Sequence, residues 1–122
     1  MADYTPVFKP GREVTLTTSA TVTAGDALVV SGQQTVAPSG GASAAFVGIA
    51  ANDAASGEKV VVIGPAVHEL NSTGTVNDGD LIMTAANGDV AAWTGGTDDP
   101  QEIIGIALAD AASNKVLAKT FR

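Results

Sequence analysis

The chain has 122 residues, 13 of them Asp or Glu against 6 Lys or Arg, giving a formal net charge of −7; it has no cysteine, and only 4% of it is aromatic. This length fits one domain, and so acidic a balance offers no basic face to displace counterions from phosphates, which argues against nucleic-acid binding. The lack of thiols removes disulfides, thiolate zinc sites and cysteine nucleophiles, and no apolar run approaches the about 20 residues of a membrane helix.

Residues 1–11 lie ahead of any periodic pattern. Pro6 and Pro10 disfavour regular strand pairing there. The segment has no basic region followed by an apolar run, so no signal peptide is expected. Tyr4, Val7 and Phe8 are apolar without a counterpart later in the chain. They are candidate contact residues for a neighbouring molecule, carried on an extended arm.

From Arg12 onward, short β-branched runs alternate with Gly, Asn, Asp and Ser turns, the pattern of a sandwich or barrel. The runs predict strands at Arg12–Thr18, Ala27–Ser31, Thr35–Ala37, Phe46–Ala50 and Lys59–Ile63, then at Ala66–Leu70, Asp80–Thr84, Val90–Trp93, Glu102–Leu108 and Lys115–Phe121. Val14 and Leu16 alternate with Thr15 and Thr17, as in a strand with one wet face. Val60-Val61-Val62-Ile63 is continuous and fits a strand covered on both sides. The Ala-rich stretches Ala51–Ala55 and Ala107–Ala112 read as turns in which a single helical turn is the most to expect.

The chain repeats itself. Val22-Thr23-Ala24-Gly25-Asp26 is answered by Val76-Asn77-Asp78-Gly79-Asp80 at an offset of 54 (76 − 22). Val47-Gly48-Ile49-Ala50 is answered by Ile104-Gly105-Ile106-Ala107, and Asp53-Ala54-Ala55-Ser56 by Asp110-Ala111-Ala112-Ser113, both at 57 (104 − 47, 110 − 53). Lys59-Val60 is answered by Lys115-Val116 at 56 (115 − 59). Two copies are too few for a solenoid. They fit an all-β fold, a compact small barrel or sandwich of two pseudo-symmetric halves with approximate internal two-fold symmetry and at most one or two short helical turns. The expected organisation is one domain over 1–122: an arm at 1–11, a first half at 12–70 and a second at 71–122. Gly25, Asp26, Gly79 and Asp80 are assigned as structural turns, the glycines supplying φ > 0 and the carboxylates accepting nearby backbone N–H groups.

No catalytic, cofactor or metal constellation is found. His68 is the one histidine, in the alternating stretch Ala66–Leu70, and no G-x-S-x-G or S-x-x-K frame accompanies it. Asn77-Asp78-Gly79-Asp80 does not continue with EF-hand spacing. The glycine-rich Ser39–Gly41 and Thr94–Thr97 lack a phosphate-loop frame. The principal alternative to a structural protein is a non-catalytic ligand-binding module, for instance for glycans, but one Trp, one Tyr and three Phe spread along the chain make a poor stacking platform.

Tyr4–Gly11, the Val22–Asp26 turn, Phe46–Ala50 followed by Asp53-Ala54-Ala55, and Gly105–Leu108 together resemble the capsid cement, or head decoration, proteins of tailed bacteriophages. The resemblance implies a β-rich, non-enzymatic protein, made in the host cytoplasm and bound to the outer surface of the virion capsid. It also implies the major capsid protein as partner, a homotrimer at local three-fold positions and no cofactor, but assigns no capsid contact residue by residue. The exposed apolar groups Tyr4, Val7 and Phe8 themselves predict that the arm contacts the capsid or an adjacent subunit, the alternative being an edge strand folded onto its own domain.

Overall fold

The computed structural model describes residues 12–122. It is all-β, with ten strands and two isolated 3-10 turns. Tyr4, Val7 and Phe8 lie outside the described residues.

The first five strands are β1 (Glu13–Thr18), β2 (Ala27–Gly32), β3 (Thr35–Pro38), β4 (Phe46–Ala50) and β5 (Lys59–Ile63). They close into a barrel in the order β1-β3-β2-β4-β5, with β5 returning to β1. All neighbours are antiparallel except β1 and β3, which run parallel with Thr18 opposite Val36. The next five are β6 (Val67–Asn71), β7 (Leu81–Thr84), β8 (Val90–Ala92), β9 (Gly105–Ala107) and β10 (Lys115–Thr120). Their order is β6-β10-β9-β7-β8, the first order again with each strand replaced by its equivalent. A single parallel bridge from Ser72 to Val90 stands where β1 pairs with β3.

The change of sheet falls between Ile63 and Val67, one strand earlier than the expected division at 70/71. β6 pairs with β10 along its whole length. The sequence hid this because Glu13–Thr18 and Val67–Ser72 share little beyond alternation and one leucine, Leu16 and Leu70.

Alternation explains the packing. Val60 and Val62 on β5 point inward at 1% exposure, while Val61 and Ile63 are half-buried on the other face. Leu28 and Ile82 occupy equivalent inward positions and are fully buried, each contributing about 1.5–3 kcal/mol of burial. The first barrel's core gathers Val22, Leu28, Val36, Ala50, Ala54, Val60 and Val62. The second core gathers Leu70, Val76, Ile82, Val90, Ile104, Ala107, Val116 and Ala118, and takes in Ala27, Phe46 and Ile49 from the first half.

The 3-10 turns are not in the Ala-rich stretches. Asp53 is committed to accepting from Ala24 N–H at 2.8 Å, and Ala54 is bridged to Val22, which holds that stretch extended. The turns form instead at Ala86–Gly88 and Pro100–Glu102. In the latter, Asp99 and Glu102 form a capping box behind Pro100, and so shorten the strand expected from Glu102 to the three residues of β9.

Candidate functional surface

The repeat is reproduced bond by bond. Thr23 N–H donates to the Asp26 carboxylate at 2.9 Å, and Asn77 N–H to Asp80 at 2.9 Å. Ala24 N–H donates to Asp53 and Asp78 N–H to Asp110, both at 2.8 Å. Gly25 and Gly79, at φ 93 and 84, donate to Ala50 and Ala107 carbonyls. The four assigned turn residues thus tie each β2- or β7-entry turn to the strand beside it. Gly48 and Gly105 are required by close approach: a Cβ on Gly48 would lie 2.5 Å from Ile63 O, and one on Gly105 would strike Lys119 O and lie 3.0 Å from Thr120 Cα.

The joint between the halves is not repeated. The Ser39–Phe46 segment of the first half caps one end of the second sheet. Thr84 Oγ1 donates to Gly41 O at 2.8 Å and accepts from Ser43 N–H at 3.0 Å. Ser39 Oγ donates to Ala85 O at 2.7 Å, and Gly88 N–H donates to Ser39 O. Gly88 lies so close to Asp26 that a Cβ would sit 2.8 Å from its carboxyl carbon. Burial here is the main force raising the Asp26 pKa; the Thr23 N–H opposes it, and Asp89 and Asp53 add to it. The two halves contribute different surfaces to this contact. They are therefore joined head to tail, not through the self-complementary face an approximate two-fold would use.

The second sheet presents an apolar outer face. On β10, Lys115, Leu117 and Lys119 point out while Val116, Ala118 and Thr120 are buried. Leu117 lies opposite Glu69, and Lys119 opposite Val67 and Ile106. Leu108 N–H donates to Leu117 O, and Ile106 lies opposite Leu81. Val67, Leu108 and Leu117 are 55%, 47% and 43% exposed. The equivalent places on the first barrel hold Glu13, Ala51 and Val61. Sequence reasoning missed this face, although strict alternation along Lys115–Thr120 carried the signal.

No group of three His, Asp or Glu is placed to hold a metal ion among the described residues. The His68 imidazole lies 3.4 Å from Gly64 O in its own strand connection. The Trp93 indole N–H donates to Asp99 O, and Phe46 is buried, so these rings form no open aromatic platform.

Comparison with known proteins gives the surface its context. No curated protein sequence matches the chain. Among solved structures, the N-terminal base of the head fiber gp8.5 of bacteriophage phi29 superposes with a TM-score of 0.67, covering 88% of this chain and 92% of that one at 19% identity, a likeness of fold. The family model for phage cement proteins matches residues 8–121. With residues 8–121 matched by that model, the chain belongs to the phage cement protein family and is a structural protein of the phage capsid.

Proposed function

We propose that the protein binds the outer surface of an assembled phage head and cements the major capsid lattice as a homotrimer, without catalysis. The observation that carries this reading is the outer face of the second sheet, where Val67, Leu108 and Leu117 stand exposed. Leu108 and Leu117 are direct cross-strand neighbours, and exposed apolar side chains gathered on one face of a small acidic domain mark an interaction site. Lys119, opposite Val67, and Glu69, opposite Leu117, interleave charge with them and give the interface polar partners as well. The arm carrying Tyr4, Val7 and Phe8 adds a second contact, with the capsid or an adjacent subunit. Three copies held together would engage three capsid positions at once and gain avidity without new chemistry.

The test is titration of purified protein onto undecorated heads. Saturable binding is expected, lost in Leu117→Lys and weakened by deletion of residues 2–10 with the fold intact. Absence of saturable binding by the wild-type protein overturns the reading.

A further inference from the structure

The joint inside the chain has two halves, and each half has an unused equivalent. Offset by 54, Thr84 corresponds to Val30, Ala85 to Ser31 and Ser39 to Trp93. The correspondence is structural: Ser39 N–H donates to Ala27 O, and Trp93 N–H donates to Leu81 O. Within the chain, Thr84 is fully buried under Gly41 and Ser43. Its equivalent Val30 faces the same way, opposite Val36, yet is 51% exposed at a barrel end that no other described residue covers. Likewise Ala27, Phe46 and Ile49 are buried in the joint, whereas their equivalents Leu81, Ile103 and Ile106 are only half-buried.

We infer that a second copy of this chain docks here, its Trp93–Ile103 segment capping the open end of the first barrel at Val30–Gln34. Three features select a second copy as the occupant. The contact continues the joint already formed inside the chain, using the same pair of surfaces. Neither surface is covered by the described residues of its own copy, so a head-to-tail arrangement satisfies both together, and such contacts close into a ring where the rotation between copies closes. The chemistry has also changed in concert at the two equivalent positions. Where Ser39 and Thr84 form a polar joint, Trp93 and Val30 offer an indole, half-buried, and an exposed aliphatic group. This rests on the reading that copies associate on the head, and it assigns the surface through which they do so.

The absence of native cysteine makes the test direct. Ser31→Cys and Thr94→Cys, both at exposed positions, are prepared as separate proteins, mixed and mildly oxidised, free at high concentration and bound at saturation to heads. The mixed disulfide between the two variants is expected as the dominant covalent species, and the double variant S31C/T94C is expected to stop at a covalent trimer. Adding Val30→Glu to the S31C protein, with folding checked by circular dichroism, is expected to abolish the mixed species. Homodimers outnumbering the mixed disulfide, no cross-link in either setting, or a mixed disulfide undiminished by V30E would each overturn the inference. Head binding is scored on the same samples. Binding without cross-linking defeats this inference alone, whereas absence of saturable binding by the wild-type protein defeats the cement reading itself.

Discussion

Thr84 and Val30 occupy the same hairpin position in the two halves and meet opposite fates. Thr84 is sealed beneath a loop of the first half, with its hydroxyl both donating and accepting. Val30 stands half in solvent at the end of a barrel that none of the described residues caps. The repeat therefore reproduces strand order, register and turn hydrogen bonds, but not surroundings. A repeated unit inherits its internal bonds from its own sequence, whereas its exposed faces depend on what lies beyond it. The faces that differ between the halves are consequently where partners are sought.

The largest expected effect tests the sameness of the halves. Gly48→Ala and Gly105→Ala should each destabilise by about 2–3 kcal/mol, because either Cβ meets neighbouring-strand backbone that cannot retreat. Urea unfolding of both variants checks this. A loss at one site with no loss at the other would break the equivalence of β4 and β9.

The next test goes to the difference. Thr84→Val leaves Ser43 N–H and Gly41 O without their partner in a buried joint, and should cost about 1–3 kcal/mol. Val30→Thr at the equivalent exposed position should change the stability of dilute protein by no more than about 0.5 kcal/mol. Equal effects in thermal unfolding would mean that the two ends are not distinguished as described.

Most of the repeated unit could be read from sequence because it rests on local chemistry. Gly25-Asp26 and Gly79-Asp80 need a positive φ and a backbone acceptor, and both leave a mark in residue type. All ten strands were visible as β-branched runs between turns. The closure of the barrel was not visible, since the parallel pairing of β1 with β3 is set by long-range packing. The place where one half ends was hidden by the weak likeness of β1 and β6. The exposed face built from Val67, Leu108 and Leu117 comes from two strands and the residue that follows β9, and only long-range register brings those side chains together.

The smallest effect concerns pH. Asp26 has a raised folded-state pKa, chiefly from burial. Its stabilising contribution is therefore fully present below the unfolded-state pKa and is lost as pH rises through the raised folded-state value. Asp26→Asn keeps an oxygen to accept from Thr23 N–H but cannot ionise. Its Tm relative to wild type should accordingly be higher at pH 7 than at pH 4. A difference independent of pH would show that the joint with Gly88 does not penalise the carboxylate.

The central claim is that the protein strengthens the shell it binds, and heating DNA-filled heads with and without saturating protein tests it most directly. The account predicts that DNA release shifts to higher temperature as sites fill and reaches a plateau at saturation. Heads that bind the protein to saturation yet release DNA at an unchanged temperature would contradict it.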